Sequence, residues 1–321
     1  MRSVQVTSLD GPTSVTVTEV PEPQAGPDDV LVQVKAMGIS WPDLLQTKGQ
    51  YQIKPEVPFQ LGVDFAGVVV TAPAGSGLEE GDRVACVLPY GGGADLVAVH
   101  QESVFPLPDN VTFEQGAAIP MNYLTAEFAL VTRGGVRPGD TVLVNGAAGG
   151  VGTASIQVAK GLGARVIAVV STEEKAAVAR TAGADEAVLV DGFLAAVKEL
   201  TDGVGVDVLV DVVGGDLMTD SLRALAPLGR VLVVGFTGGD IPQVKVNRLL
   251  LNNIDVRGVG WGAYAMLRPG FMRGQWTALL PMMQSGVIDP PIGKVYPLEQ
   301  VADALAEMDA RRTLGKSVVT F

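Results

Sequence analysis

The 321-residue sequence predicts an α/β fold with two domains: a Rossmann doubly wound parallel sheet domain and a small β-barrel domain. Three observations predict this fold. A glycine-rich turn joins a β-type run to a helical pattern in residues 141–160. Strand-like and helix-like segments then alternate from residue 165 to residue 259, which is typical of a parallel sheet. Residues 1–100 instead contain short strand-like runs separated by turn residues, which is typical of a small barrel.

The glycine-rich turn between Thr141 and Gly152 reads T-V-L-V-N-G-A-A-G-G-V-G. It matches the dinucleotide-binding pattern G-x-G-x-x-G, except that Ala147 stands where the first glycine is expected. Gly149 allows the backbone to approach a pyrophosphate, and Gly152 allows the helix to pack close to the strand. The helix N terminus offers N–H groups and the positive end of its dipole to phosphate. We therefore predict a dinucleotide-binding site at this turn.

The end of the second predicted strand of this sheet indicates which dinucleotide binds. NAD sites usually have Asp or Glu there, about 20 residues after the glycine turn, to bind the ribose 2′-hydroxyl. Here the strand ends at Ser171, followed by Thr172 and, one helical turn later, Lys175. Two hydroxyls, a helix N terminus and an ammonium group favour a 2′-phosphate, and hence NADP(H). A structural alternative is that Ser171 and Glu174 form a capping box, which leaves NAD open.

Two more predicted strands end in small residues. Ligands of doubly wound sheets bind beyond the carboxyl ends of the strands. One such end contains Val213, Gly214 and Gly215, and the other contains residues 235–238. Each run alone could be an ordinary turn, but three small-residue ends at one sheet edge favour a ligand. We therefore include Gly214 among the candidate cofactor contacts.

The composition excludes several classes of protein. The net charge of −12 argues against nucleic acid and anionic membranes as partners. No apolar run reaches the roughly 18 residues that a membrane-spanning helix needs, and the first residues lack the apolar stretch of a signal peptide. The single cysteine excludes an intrachain disulfide and suits a reducing compartment. We expect a cytoplasmic protein with a small-molecule partner.

The side chains that bind zinc are almost absent from the sequence. A zinc site requires several Cys, His or carboxylate ligands that converge, yet the chain has one cysteine, Cys86, and one histidine, His100. No D-x-D-x-D-G calcium motif is present either. We interpret Cys86 as a core residue and His100 as a residue at a strand end. The sequence predicts no resident metal ion.

The domain boundaries follow from a change in the hydrophobic period. Strand-like runs dominate the first hundred residues, and helical patterns begin at Thr112. The last segment, residues 315–321, is typical of a strand, which we expect to rejoin the first domain. We therefore predict a discontinuous catalytic domain of residues 1–120 and 286–321, and a Rossmann domain of residues 121–285.

Four motifs resemble one protein family: F-E-Q-G-A-A-I-P from Phe113, N-G-A-A-G-G-V-G-T-A from Asn145, V-D-V-V-G-G-D from Val210 and A-R-R-T-L-G-K from Ala310. Over nearly its whole length the chain resembles the zinc-independent quinone oxidoreductases (NADPH:quinone reductases) of the medium-chain dehydrogenase/reductase superfamily, especially actinobacterial members. The resemblance implies a GroES-like β-barrel catalytic domain interrupted by a Rossmann domain, NADPH as the cofactor, and a homodimer. Where zinc members have G-H-E, this chain has Gly62-Val63-Asp64.

The resemblance also implies, motif by motif, a set of cofactor contacts. The phosphate-loop positions fall on Ala148, Gly149, Gly150 and Val151. The 2′-phosphate positions fall on Ser171, Lys175 and Arg311, with Thr172 beside them. The nicotinamide-side positions fall on Ser40, Asn122, Thr125, Gly235, Phe236, Thr237, Val259, Gly260 and Trp261. Two departures matter: the family often has Asn where Ser40 stands, and a Tyr that supports the 2′-phosphate in some members corresponds to Val190.

The leading functional hypothesis is hydride transfer from NADPH to an electrophilic small molecule. Without a metal ion to polarise a carbonyl, the substrate must already be a good acceptor, such as a quinone. Tyr51 and Asp43 are the local candidates for a catalytic proton donor, and solvent could serve instead. Two alternatives stay open. One is an NADPH-dependent enoyl or alkenal reductase, acting on a 2-alkenal or an enoyl thioester. The other is a non-catalytic NADPH-binding sensor or structural protein.

Overall fold

The structure, a computed structural model, describes residues 1–321. The chain divides into two compact units. The first unit contains Met1–Met121, Pro269–Leu280 and Ile292–Phe321, and the second unit contains Asn122–Arg268 and Pro281–Pro291. None of the helices combines the length and the apolar character that crossing a bilayer requires.

The strands are, in chain order, β1 (Arg2–Val6), β2 (Val15–Glu19), β3 (Asp29–Gly38), β4 (Phe59–Gln60), β5 (Asp64–Thr71), β6 (Arg83–Val87), β7 (Leu96–His100), β8 (Val104–Pro106), β9 (Thr141–Asn145), β10 (Arg165–Val170), β11 (Glu186–Leu189), β12 (Val206–Asp211), β13 (Leu225–Val233), β14 (Asp255–Gly258), β15 (Ile292–Pro297) and β16 (Lys316–Thr320).

The α-helices are, in chain order, α1 (Trp41–Thr47), α2 (Phe113–Gly116), α3 (Pro120–Glu127), α4 (Gly150–Gly161), α5 (Glu173–Thr181), α6 (Phe193–Leu200), α7 (Leu217–Ala224), α8 (Asn247–Asn252), α9 (Trp261–Ala265), α10 (Phe271–Gln284) and α11 (Val301–Asp309). A π-helix, Phe128–Gly134, continues α3.

The first unit is built around β3, the longest strand. The larger sheet has the order β15-β16-β3-β5-β6-β8, and β7 also pairs with β3. Val30, Val32 and Val34 alternate along β3 and turn their side chains into the core. The predicted closing strand forms β16 and pairs antiparallel with β3, with Val318 opposite Gly38. A second, three-stranded sheet has the order β2-β1-β4.

The second unit contains one parallel sheet with the strand order β11-β10-β9-β12-β13-β14. The chain runs outward from β9 to β10 and β11, and then returns to place β12 on the other side of β9. The switch point of the fold therefore lies between β9 and β12. Val142, Leu143 and Val144 are fully buried, as expected for a central strand covered on both faces. The predicted doubly wound sheet is confirmed.

Residues 269–280 belong to the first unit, whereas the predicted boundary placed them in the Rossmann domain. They form most of α10, in which Trp276 is only 1% exposed. The Trp276 ring stacks on Phe105 with their centroids 4.9 Å apart, and its Nε1 donates to the carbonyl oxygen of Pro106 at 2.9 Å. A helical pattern predicts that such a segment is a helix, but it does not predict which of the two cores its aromatic side chain enters. The burial of the indole ring against Phe105 assigns this part of α10 to the first unit.

Candidate functional site

The phosphate loop, residues 145–152, runs from the end of β9 into the first turn of α4. Gly146 turns the chain with φ 66°, and Gly149 is the N-cap residue of α4 in an extended conformation. The first N–H groups of an α-helix have no acceptor within the helix, and no acidic side chain lies in the first turn of α4. The loop therefore presents N–H donors and a positive dipole end without a competing carboxylate.

Gly152 sets the distance between α4 and the loop. A Cβ atom on Gly152 would lie 2.3 Å from the carbonyl oxygen of Gly146 and 2.8 Å from the backbone of Ala147. A Cβ atom on Gly149 would instead meet only the Gly146 oxygen, at 3.6 Å. The two glycines thus have different roles. Gly152 permits close packing, as predicted, and the exposed Gly149 leaves the helix end accessible.

Two buried side chains of α3, Asn122 and Thr125, are predicted cofactor contacts. A Cβ atom on Gly150 would lie 2.7 Å from Nδ2 and 2.9 Å from Oδ1 of Asn122. The Asn122 amide therefore occupies the space beside the first residue of α4. Thr125 is also buried, and its spacing of three residues places it on the same face of α3. The nicotinamide-side roles of Asn122 and Thr125 stay predictions.

At the end of β10, the structure does not contain the capping box of Ser171 and Glu174 that the sequence left open. Thr172, not Ser171, is the N-cap residue of α5, and its hydroxyl accepts from the backbone N–H of Lys175 at 3.3 Å. A capping box formed by Ser171 and Glu174 is therefore wrong, because Thr172 is still extended (φ −144°, ψ 162°) and the helix begins at Glu173. Ser171 Oγ instead accepts from Nζ of Lys175 at 3.1 Å.

The remaining predicted cofactor contacts lie at strand ends, in the phosphate loop and in the first unit. Thr237 donates through its backbone N–H and its hydroxyl to the carbonyl oxygen of Val212, at 3.0 and 2.9 Å. Phe236 is 37% exposed next to it. Arg311 belongs to the first unit, where it is exposed and has φ 57°. Val151 lies in the first turn of α4, and Trp261 is the first residue of α9. The other predicted contacts lie in the loops that follow β9, β12, β13 and β14, and they are Ala148, Gly214, Gly235, Val259 and Gly260.

Asp211, the last residue of β12, organises this sheet edge and was not among the predicted site residues. Its buried Oδ1 accepts from the backbone N–H groups of Val213 at 3.0 Å and Gly214 at 3.1 Å. The side-chain amide of Asn145 lies 3.4 Å from the same oxygen and donates to Ser221 at 2.9 Å. A sequence signal existed, since an Asp that precedes a turn with glycine can accept from backbone N–H groups two or three residues later.

The first unit contains a buried ionic network of Ser40, Asp64 and Lys316. Nζ of Lys316 donates to Oδ2 of Asp64 at 2.9 Å and to the hydroxyl of Ser40 at 2.5 Å. The Ser40 hydroxyl in turn donates to the same Asp64 oxygen at 2.7 Å. Lys316 and Asp64 were not predicted, because 252 residues separate them. Ser40, a predicted cofactor contact, thus has its hydroxyl bonded within this network.

The two candidate proton donors have different surroundings. Asp43 is fully buried, and its oxygens accept from the backbone N–H groups of Ser40 at 2.8 Å and Val63 at 3.1 Å. Burial raises the pKa of Asp43 to about 7, and the charge of Asp64 adds to this rise, whereas the N–H donor of Ser40 lowers it. Burial also raises the pKa of Tyr51, and so do the charges of Asp43 and Asp64. The structure gives Asp43 a loop-ordering role and leaves the Tyr51 phenol protonated near neutral pH.

No group of three or more His, Cys, Asp or Glu side chains converges as metal ligands would. Cys86 is buried within β6, and burial strongly raises the pKa of its thiol. His100 is exposed at the end of β7. Both residues therefore occupy the kind of position that the sequence predicted for them.

Both units match known families. The family described as Alcohol dehydrogenase GroES-like domain matches residues 26–109, and that described as Zinc-binding dehydrogenase matches residues 150–285. Among curated proteins, the chain is similar to quinone oxidoreductase-like protein 2 of Rattus norvegicus, with 39% identity over 100% of this chain and 92% of that protein. The chain belongs to the quinone oxidoreductase family of the medium-chain dehydrogenases/reductases.

Solved structures of related oxidoreductases extend over the whole chain. A probable oxidoreductase from Mycobacterium abscessus is 41% identical, with a TM-score of 0.92 and coverage of 100% of this chain and 99% of that chain. The quinone oxidoreductase of Thermus thermophilus, described with its NADPH complex, is 32% identical, with a TM-score of 0.85 and full coverage of both chains. The predicted combination of a GroES-like and a Rossmann domain is confirmed, and this family member is an oxidoreductase.

Replacement of Gly152 by Ala tests the close approach in the phosphate loop. We expect Gly152→Ala to lower the free energy of unfolding by roughly 1–3 kcal/mol, because the added methyl group overlaps backbone atoms that cannot move aside. Alanine is the better helix former by up to about 1 kcal/mol, so helix propensity opposes this effect. Urea denaturation followed by circular dichroism measures the change.

Gly149→Ala is the matched control for this substitution. It adds the same methyl group to the same loop, but no atom lies closer than 3.6 Å. Its free energy of unfolding should fall by less than that of Gly152→Ala, because the only loss is that alanine is a poorer N-cap residue than glycine. Equal stability of the two variants would contradict the packing role of Gly152.

Proposed function

We propose that this chain is an NADPH-dependent oxidoreductase that transfers hydride, without a resident metal ion, to a quinone or a similar electrophilic acceptor. The observation that supports it most directly is the acid-free phosphate loop together with the Ser171–Lys175 contact at the end of β10. The names of its relatives agree, since the rat protein is called quinone oxidoreductase-like and the T. thermophilus enzyme is described with NADPH. NADPH, when bound, supplies the hydride, and the chain binds and orients it.

The preference for NADPH over NADH depends on the charge at the end of β10. The ammonium group of Lys175 and the hydroxyls of Ser171 and Thr172 lie where the 2′-substituent of the ribose is expected. Because the Thr172 hydroxyl accepts from a backbone N–H, its own proton remains able to bond a phosphate oxygen. Glu173 and Glu174 are exposed, so solvent screens their charges. The local field therefore favours the phosphate.

The metal-free reaction is supported by the side chains at the position where zinc members have G-H-E. Here Val63 replaces the His ligand, and Lys316 neutralises Asp64 at 2.9 Å. An ammonium group at hydrogen-bond distance disfavours a divalent cation at the same carboxylate. With no metal ion to polarise a carbonyl group, the acceptor must itself be electrophilic, as quinones are.

Tyr51 is the side chain that we propose as the proton donor. It is half-buried and lies in the electrostatic field of Asp43 and Asp64, which together with burial raises the pKa of its phenol. The phenol carries its proton near neutral pH, so its O–H can donate to an acceptor oxygen on which negative charge develops, although the raised pKa makes it a weaker acid. Asp43 is the weaker candidate, because its oxygens already accept from two backbone N–H groups.

A homodimer is proposed from the open edge of the parallel sheet. β14 has a partner strand, β13, on one side only, so one row of its backbone groups lacks a sheet partner. The preceding helix α8 exposes Leu250 and Leu251 at 75% and 73%, and Val256 of β14 is 37% exposed. A second copy of this chain would cover these apolar side chains and extend the sheet across a twofold axis.

Steady-state turnover of the full chain with NADPH tests the proposed activity. We expect 1,4-benzoquinone and 9,10-phenanthrenequinone to be reduced with a kcat/KM at least about tenfold above that of 2-alkenals or crotonyl thioester. Treatment with EDTA should leave the rate unchanged. A higher kcat/KM for 2-alkenals would favour an alkenal reductase, and tight NADPH binding without turnover of any acceptor would favour a sensor.

Replacement of Lys175 by Met tests the cofactor preference. A hydrogen bond to a charged group contributes about 1.5–3 kcal/mol, so Lys175→Met should raise the KM for NADPH about 10- to 100-fold. The KM for NADH should change little, because NADH has no 2′-phosphate. Lys198→Met, on α6, the next helix along the chain, is the control and should change neither value. Equal KM values for NADPH and NADH in the unchanged protein would contradict the phosphate site.

The oligomeric state can be measured by light scattering coupled to size exclusion. We expect twice the mass of one chain, and we expect the double substitution Leu250→Glu/Leu251→Glu to reduce it to one chain, because four carboxylates would be buried in the dimer. Val204→Glu is the control, since Val204 is also exposed but lies in a turn away from β14 in the sequence. A monomeric unchanged protein would contradict the proposed dimer.

A further inference from the structure

Lys316 is a buried lysine whose partner is a buried aspartate. The side chain of Lys316 is 5% exposed and that of Asp64 is 0% exposed. Buried charges are costly unless they are paired and hydrogen-bonded. Lys316 begins β16, and Gly38 of the neighbouring β3 leaves room for it, because a Cβ atom there would lie 2.8 Å from the Lys316 Cε. The fold thus admits an ammonium group at this place.

The second oxygen of Asp64 binds the N terminus of α3. Oδ1 accepts from the backbone N–H of Met121 at 2.7 Å, whereas Oδ2 binds Lys316 and Ser40. α3 begins at Pro120, which has no N–H, so Met121 provides the first N–H donor of this helix. A carboxylate at this point satisfies a donor that the helix itself cannot satisfy, and it complements the positive end of the helix dipole.

Asn122 follows Met121 directly and connects this cap to the phosphate loop. Its amide occupies the space beside Gly150, where a Cβ atom would lie 2.7 Å from Asn122 Nδ2. The orientation of the first turn of α3 therefore sets where the Asn122 amide lies against the first turn of α4. A shift of this turn would move a polar group beside the N–H donors that face a pyrophosphate.

We propose that Lys316 is a positioning residue for dinucleotide binding: it holds the Asp64 carboxylate against the N terminus of α3, and this fixes Asn122 beside Gly150 of the phosphate loop. The inference rests on the proposed binding of NADPH. Lys316 binds Asp64 and the Ser40 hydroxyl, and it touches none of the predicted contacts in the phosphate loop. The effect on α3 passes through Asp64, because Asp64 is the residue of this network that binds Met121.

Three variants test this role: Lys316→Met, Asp64→Asn and the double substitution. Lys316→Met leaves the buried Asp64 carboxylate without its counter-ion, so the carboxylate should move toward solvent and bind Met121 less firmly. In Asp64→Asn, we expect the amide oxygen to turn toward the ammonium group, so that the amide NH2 faces the N–H of Met121 and the hydrogen bond to it is lost. The double variant lacks both members of the buried ion pair, so we expect its amide oxygen to turn to Met121 again.

Two measurements test the positioning role of Lys316, and neither requires catalytic turnover. We expect the Kd of NADPH, measured by the fluorescence of the bound cofactor, to rise at least about tenfold in each single variant. We expect the Kd of the double variant to lie below that of either single variant. In the cofactor-free protein, hydrogen exchange of the first turn of α3 should accelerate in both single variants and slow again in the double variant.

Lys294→Met is the control, because Lys294 forms an exposed ion pair with Glu307 and lies on the adjacent strand β15. It should change neither the Kd nor the exchange. Lowered thermal stability of Lys316→Met with unchanged Kd and unchanged α3 exchange would overturn the inference and leave the proposed function intact. If Lys316→Met does not fold, Asp64→Asn decides by the same two measurements. An unchanged protein that binds no NADPH would instead overturn the proposed function.

Discussion

The second unit depends on one close approach, in which the first turn of α4 lies against the end of β9 without a side chain between them. The carbonyl oxygen of Gly146 leaves room only for a hydrogen atom on Gly152. This approach places the positive end of a helix dipole beyond the sheet edge, at the point where β10 and β12 lie on opposite sides of β9. The backbone thus provides anion-binding donors before any charged side chain contributes.

Hydrogen bonds at the neighbouring strand ends order the rest of this edge. Asp211 holds the turn after β12 through two backbone N–H groups, and Thr237 joins the turn after β13 to the carbonyl oxygen of Val212. Each bond satisfies a polar group that would otherwise be buried without a partner or left mobile. These hydrogen bonds keep the sheet edge in a defined shape although its residues are small. A ligand site requires such a defined shape.

The first unit contains two charged side chains, Lys316 and Asp64, that are buried in a β-rich core. Lys316 and Asp64 satisfy each other, and Ser40 and Met121 complete their hydrogen bonds. Removal of either charge would leave the other without compensation, which is why such pairs are sensitive to single substitutions. The network brings together β16, the loop before α1, the start of β5 and the start of α3, so one ion pair orders four segments that are distant in the sequence.

The sequence by itself determined the parts of this protein that depend on neighbouring residues. Hydrophobic period, glycine spacing and turn residues act over a few positions, so they predicted the alternation of the Rossmann sheet, the phosphate loop and the closing strand β16. The tertiary structure decided what depends on distant segments: that Trp276 packs on Phe105 and that Lys316 binds Asp64. Local periodicity contains no information about such pairs. The choice of partner is made by desolvation and packing, which are properties of the assembled core.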